Sequence, residues 1–191
     1  VLAFHDSQYY HYLVMASHGV FNPRMLSYSI GSDDNPIARG VLEYFLLAVG
    51  ASVMGADLLI SQSNVDLVFS PTGGFHHGGP DYASGFCYLN DIVIAIKYLL
   101  QQNHRILYFD IDAHHGDGVQ FAFYDDPRVL NISLHESART LFPWNSGFEN
   151  ELGEGPGYGY NINVPLAPGT EDAIYREVFQ RIVEPLAQAY K

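Results

Sequence analysis

Two short runs hold most of the side chains that can do chemistry. One reads Asp110-Ile111-Asp112-Ala113-His114-His115-Gly116-Asp117 and follows an apolar segment of strand length at 105–110 (RILYFD). At a strand end, residues two apart point to the same side, so Asp112 and His114 can present a carboxylate oxygen and an imidazole nitrogen to one point. That donor pair suits zinc or iron(II), whereas an all-oxygen magnesium or calcium site has no need of the histidine. A catalytic divalent metal commonly takes three protein ligands and keeps a position open for water, so one ligand is still to be found. The second run is Gly73-Gly74-Phe75-His76-His77-Gly78-Gly79. Its glycines let the backbone turn sharply and approach a substrate closely. A neutral imidazole can take a proton from an activated water, and an imidazolium can give one to a leaving amine. Each such histidine needs a carboxylate behind it to fix its tautomer, and Asp110 and Asp117 are spare acids for that task. A His-His pair or an Asp-x-His taken alone is ordinarily a surface or core feature. Their joint occurrence at strand ends, with glycine-rich backbone and surplus acids, marks a site.

The elements that must carry these loops follow from periodicity. Segments 65–70 (VDLVFS), 105–110 and 128–134 (RVLNISL) are rich in β-branched and aromatic residues, of strand length and bounded by turn residues; 160–164 (YNINV) is a weaker fourth strand. Amphipathic stretches at 37–60, 88–102, 118–124 and 171–190 predict helices between and after them. Strand and helix in alternation give an open, mostly parallel α/β sheet with helices on both faces, and such sheets bind ligands at the carboxyl ends of their strands. The loops after the three best strands, 71–79, 111–118 and 135–144, carry the chemistry noted above.

Composition narrows the function classes. With 191 residues, 48% hydrophobic, the chain can bury one sizeable core, and no repeat or low-complexity linker divides it. The net charge of −12, with Lys97 and Lys191 the only lysines, argues against direct nucleic-acid binding, because phosphates would be repelled. A cationic substrate is compatible with that charge, although solubility alone would explain it. Neither an uninterrupted apolar run of about 18 residues nor a signal peptide is evident, so a membrane role is not expected. The lone cysteine, Cys87, cannot form an internal disulfide, which is compatible with a reducing cytoplasm, or a nucleus in a eukaryote. It follows a phenylalanine and reads as a small buried hydrophobe rather than a nucleophile. The stretch 153–159 (GEGPGYG) lacks the Lys-Ser/Thr and following helix of a phosphate loop and reads as a turn.

The blocks GGFHHGGPDYASGFCYLND (73–91) and YFDIDAHHGDGVQFAF (108–123) resemble the histone deacetylase family, which includes bacterial acetoin-utilisation-type deacetylases and acetylpolyamine amidohydrolases. The likeness continues through ISLHESARTLFPW (132–144) and YNINVPL (160–166), with a weaker match from FHDSQYYHYL (4–13) onward, and so covers nearly the whole chain. It implies the arginase/deacetylase fold, in a single deacetylase domain over 1–191 that is incomplete at both ends. It implies that Asp112 and His114 bind a catalytic zinc, with iron(II) as the alternative, and that His76 and His77 stand beside the water, backed by Asp110 and Asp117. It implies a narrow acyl-lysine tunnel at Gly85, Phe86 and Phe142, with Asp34 at the rim gripping the substrate backbone and Asp33 as a competitor for that role. It also implies potassium as a structural cation at Asp110, Asp112, His114, Ser133 and Leu134. The substrate would be an acetylated lysine peptide or an acetylated polyamine or other small amine, cleaved to acetate and a free amine.

Family members supply a third, aspartate ligand and an oxyanion-binding tyrosine from loops after the last residue of this chain. Two other readings stand beside this one, the second motivated by that third ligand and tyrosine. Asp112-Ala113-His114 with Asp117 also resembles arginase-type ureohydrolases, which use two manganese ions, but these have bridging carboxylates in place of the His76-His77 pair and the Gly85-Phe86 tunnel. A non-catalytic acyl-amine binding module is the other alternative, although such a module has no need of six intact polar site residues. Oligomeric state cannot be read from the sequence.

Overall fold

Asp6 starts the first helix. Its carboxylate accepts from the amides of Gln8 and Tyr9 at 2.7 and 3.0 Å, satisfying donors that a helix leaves unpaired at its N-terminus, and α1 runs Ser7–Ser17. The computed structural model describes residues 1–190, divided into two compact units, 1–104 and from Arg105 onward. In the first unit α1 is followed by a 3-10 turn, Pro23–Tyr28, and then by α2 (Val41–Ser61) and α3 (Asp91–Gln101). The expected helix at 37–60 begins later because Gly40 takes a left-handed conformation (φ 77°) just before it. The one expected at 88–102 begins at Asp91 because the Asn90 side chain accepts from Val93 N at 3.0 Å and caps it.

Tyr9 and Leu13 of α1, Leu42, Phe45 and Val49 of α2, and Leu89 and Ile94 pack into one core, with the Tyr9 hydroxyl donating to the Tyr88 carbonyl. By length and composition α2 is apolar enough to cross a membrane, a property not expected from the sequence. Part of its apolar surface is spent on the core just described. The expected strand at 65–70 does not form. A strand exists only against a ladder partner, and here Val65 N bonds back to Gln62 O at 3.2 Å while Leu67 and Phe69 stay exposed. Val68 packs against Gly55, where an added Cβ would come within 2.9 Å of its Cγ1.

The second unit is built on three parallel strands in the order β1-β2-β3: β1 (Ile106–Asp110), β2 (Val129–Glu136) and β3 (Asn161–Leu166). Between the first two lies α4 (Asp117–Ala122). The chain then closes with α5 (Asp172–Val178), a π-helical turn over Phe179–Val183 and α6 (Glu184–Ala189), where one unbroken helix was expected. Side chains alternate across the sheet. Leu130, Ile132 and Leu134, flanked by Phe109, Ile162 and Val164, pack beneath Tyr175, Val178, Phe179, Val183 and Leu186.

The opposite face of the same strands is polar and almost as deeply buried. Gln120 of α4 is its hub: its Oε1 accepts from Asn161 Nδ2 and Asn163 Nδ2 at 2.8 and 2.7 Å and lies 3.0 Å from His115 Nε2. Its amide nitrogen donates to Glu151 Oε2 at 2.7 Å. Asn131 Nδ2 donates to Asn161 Oδ1 at 2.6 Å, carrying the network across the strands. Such a network stabilises only while its members are satisfied. Gln120→Ala removes the shared acceptor and leaves several buried donors unpaired; we expect it to lose about 2–4 kcal/mol in urea unfolding, where an exposed-site control such as Gln101→Ala changes less than about 1 kcal/mol.

His5 plays the equivalent part in the first unit. Buried to 2% exposure, it accepts from Asn90 N through Nε2 at 3.0 Å, so the neutral ring carries its proton on Nδ1. Burial pushes its pKa down to about 4, offset only in part by the carbonyls of Pro80 and Gly79, which do not reach hydrogen-bond geometry with Nδ1. Between pH 6.5 and about 4 the unfolded chain therefore binds a proton that the folded chain refuses. The stability this ring contributes is complete above about pH 6.5 and is lost as pH falls to about 4, by at most about 3 kcal/mol. Urea unfolding across that range should show the loss in the parent protein and a shallower one in His5→Asn, whose amide oxygen can still accept from Asn90 N.

Candidate active site

β1 ends at Asp110, and the next turn is shaped by its carboxylate. Asp110 Oδ1 accepts from Asp112 N at 3.0 Å and Oδ2 from the Tyr108 hydroxyl at 2.6 Å, so a buried acid folds the backbone of the residue two positions on. Asp112 repeats the device, its Oδ1 accepting from His114 N at 2.8 Å. The same oxygen lies 2.9 Å from His114 Nδ1. The spacing of two expected from the sequence thus brings a carboxylate oxygen and an imidazole nitrogen to one place, with side chains 52% and 42% exposed respectively. The loop is pinned to β2 by Glu136 N donating to Ala113 O at 2.9 Å.

Of the other expected residues of this unit, Phe142 stands beside that pair, while the rest lie on β2 and α4. The Phe142 ring stands 6.4 Å from the His114 ring, tilted at 62°. Ser133 lies in register with Asp110 across the β1–β2 ladder, and Leu134 follows it, buried. Ser133 Oγ is 2.8 Å from His135 Nδ1. Asp117 is buried at the start of α4, with Oδ1 accepting from Gly118 N at 2.9 Å. A cleft of about 240 Å³ opens at the carboxyl ends of the strands, lined by Ile111, Asp112, Ala113, Glu136, Leu166 and Tyr175 among others. That is where a parallel α/β sheet places its ligands.

In the first unit the His76 and His77 rings lie 4.0 Å apart, centroid to centroid, both buried. Their loop is tightened by His76 N donating to Gly74 O at 2.9 Å, with Gly74 at φ 104°. Gly85 and Phe86 form a two-residue turn closed by Ser84 and Cys87, which exchange hydrogen bonds of 3.1 and 2.8 Å. Both central residues have positive φ, 49° and 68°, as a type I′ turn demands. A phenylalanine there bears a strain of about 1–2 kcal/mol, and the residue is 69% exposed. Asp33 and Asp34 are both exposed on a turn whose Asn35 N donates to Ser32 Oγ at 3.1 Å. The Tyr88 hydroxyl, just after the Gly85-Phe86 turn, donates to Pro36 O and ties the two loops together.

Asp112 and His114 fit a divalent metal: a hard carboxylate oxygen and a borderline imidazole nitrogen converge at a solvent-open strand end. Among the described residues no third His, Cys, Asp or Glu side chain groups with them. The reading of the sequence missed the residues that hold the loops, namely Tyr108 behind Asp110 and Asn90 and Asp91 behind the His76-His77 loop. Only the Asn-Asp preceding an apolar helical run was a visible signal, and it announces a helix cap, not a contact to a distant loop.

The whole chain, 1–191, matches the family model described as histone deacetylase domain. The acetoin utilization protein AcuC of Bacillus subtilis is 42% identical over 166 residues, covering 86% of this chain and 42% of that protein. Histone deacetylase RPD3 of Saccharomyces cerevisiae is 39% identical over 191 residues, covering 98% of this chain and 43% of the yeast protein. Crystal structures of a histone deacetylase homolog from Aquifex aeolicus, and of such a homolog complexed with SAHA, superpose with a TM-score of 0.92 at 36% identity, over 98% of this chain and 50% of theirs. The chain therefore spans about half the length of the proteins it matches. Its parallel sheet with the site at the strand ends is that of the arginase/deacetylase fold, and the chain belongs to the histone deacetylase family.

Proposed function

We propose that this chain is part of one deacetylase domain and contributes to metal-dependent hydrolysis of an acetyl-amide. The observation that carries the reading is the convergence of Asp112 Oδ1 and His114 Nδ1 at the end of β1, in a chain of this family. Asp112 and His114 hold the metal, zinc or iron(II), with a third, aspartate ligand coming from the longer protein. When bound, the metal supplies a Lewis acid that polarises the acetyl carbonyl and acidifies water. His76 and His77 manage the protons: an imidazole takes one from the attacking water, and an imidazolium returns one to the nitrogen as the C–N bond breaks, leaving acetate and an amine. Asp110 and Asp117 are the acids assigned to orient and charge-balance that pair. Ser133 and Leu134, with Asp110, Asp112 and His114, hold a potassium ion through oxygen atoms, largely backbone carbonyls.

The substrate in this reading is an acetylated lysine in a peptide, or an acetylated polyamine or other small amine. Gly85, Phe86 and Phe142 line the path of its aliphatic stem, and Asp34, with Asp33 beside it, grips the substrate at the rim. The turn geometry of Phe86 and the nearness of Phe142 to His114 support that assignment. The acidic balance favours a cationic amine or peptide over nucleic acid, and we place the reaction in the cytoplasm, or in the nucleus of a eukaryote.

Metal analysis and turnover of a fluorogenic acetyl-lysine peptide, both on the full-length protein, test this reading. Stoichiometric zinc or iron is expected, with most of it lost together with activity in His114→Ala. His76→Ala and His77→Ala should keep the metal and lose about 100- to 10,000-fold in kcat. A full-length protein that holds no metal and turns over no acetyl-amide would refute the reading. Phe142→Ala, retaining its metal, should raise KM for the acetyl-lysine peptide about tenfold through lost apolar contact, measured by initial rates over a substrate series.

A further inference from the structure

The two residues at the start of α3 have duties that a helix does not require. Asn90 Oδ1 caps α3, but its other amide atom, Nδ2, donates to Gly78 O at 3.0 Å. Asp91 lies in the first turn, where an exposed carboxylate would be enough to complement the helix dipole. Instead it is 1% exposed and turns toward the loop: Oδ1 accepts from Phe75 N at 2.8 Å, and both oxygens are within reach of Gly74 N at 3.1 and 3.2 Å. The Ser52 hydroxyl of α2 donates to Oδ2 from the other side. Burying a carboxylate is costly unless its lone pairs are filled, and here they are filled by the backbone that leads into His76. Gly73 completes the fit, since an added Cβ there would meet Asp91 Oδ2 at 2.5 Å and Ser52 Oγ at 2.8 Å.

We propose that Asn90 and Asp91 are positioning residues that clamp the His76-His77 loop from both sides, Asp91 on the amides before the pair and Asn90 on the carbonyl after it. The catalytic part of this proposal rests on the deacetylase reading above; the clamp itself does not. The backbone on either side of the two rings is held by one rigid helix end, so the rings inherit a fixed place from α3 rather than from their own flexible, glycine-rich loop. Misplacement by about 1 Å is enough to slow a proton transfer about 100-fold without affecting substrate affinity.

Two nearly isosteric variants of the full-length protein separate this from plain stabilisation. Asp91→Asn replaces one of the two carboxylate oxygens with an amide nitrogen that cannot accept, and removes the charge that strengthens the bonds from the loop amides. Asn90→Asp keeps the acceptor that caps α3 and deletes the donor to Gly78 O. Amide hydrogen exchange at Gly74 and Phe75 should be at least about tenfold faster in Asp91→Asn, with exchange near Gly78 raised in Asn90→Asp. In both, kcat per folded, metal-loaded molecule should fall at least about tenfold with KM within about threefold. Unchanged loop exchange in both variants overturns the clamp. Faster exchange with kcat unchanged, or a rate loss that merely follows lost fold or lost metal, overturns the positioning role. A parent protein inactive on every acetyl-amide would refute the deacetylase reading and the catalytic half of this proposal with it, while the exchange data would still decide the clamp.

Discussion

A buried polar group must find a partner or lose about 1–3 kcal/mol, and in each unit that constraint holds the chemistry-bearing loops in place. In the second unit Glu151 receives Gln120 Nε2 and Gly147 N, at 2.7 and 2.8 Å, and so settles which end of the Gln120 amide faces the sheet. The Gln120 oxygen then gathers Asn161, Asn163 and His115, and hydrogen-bonded side chains tie the β3 strand to α4. In the first unit Asp91, Asn90 and His5 do the same for the glycine-rich loop, with Asp6 N adding a bond to Pro80 O at 2.8 Å. Glycine-rich backbone has little conformational preference of its own, so its shape is set by what its amides and carbonyls are given to bind.

The sheet separates this work from ordinary packing. Because side chains alternate along β2, Leu130, Ile132 and Leu134 serve the apolar layer while Asn131, Ser133 and His135 serve the polar one. A slip of one residue would exchange the two sets, placing amides against Phe179 and leucines against Gln120, so register is strongly specified. The sequence displays this only in part. RVLNISL reads as strand, but Asn131 and Ser133 look like solvent-facing positions, and only the structure shows them buried.

Legibility followed locality. Asp112 and His114 could be paired from sequence because the geometry that unites them spans two residues of extended chain. The Phe86 wall came from the family pattern; its left-handed φ could not be foreseen, since the sequence gives no sign that a phenylalanine will occupy a position usually held by glycine or asparagine. The contact from Asp91 to Gly74 and Phe75 spans 16 to 17 residues and depends on where α3 begins. Helix boundaries are weakly encoded, as the late start of α2 at Val41 also shows. The apolar stretch 65–70 failed for the complementary reason: strand propensity is legible locally, but a ladder needs a partner strand.

The His114-His115 doublet shows how backbone period divides adjacent identical residues between chemistry and structure. His114 is partly exposed with Nδ1 beside the Asp112 carboxylate. One residue on, His115 is 1% exposed, with Nδ1 3.1 Å from Ser146 Oγ and Nε2 3.0 Å from Gln120 Oε1. Since Gln120 Nε2 is committed to Glu151, its Oε1 can only accept, so His115 Nε2 carries a proton and donates. In the neutral ring Nδ1 is then left to accept from the Ser146 hydroxyl. A histidine whose tautomer is dictated by a half-buried carboxylate two hydrogen bonds away is poorly suited to bind a metal or shuttle protons. It is well suited to fix the backbone that carries its neighbour. Under the proposed metal-dependent reading the doublet is a ligand and its anchor, and the anchor's polarity follows from Glu151 rather than from anything in the Asp-Ala-His-His run itself.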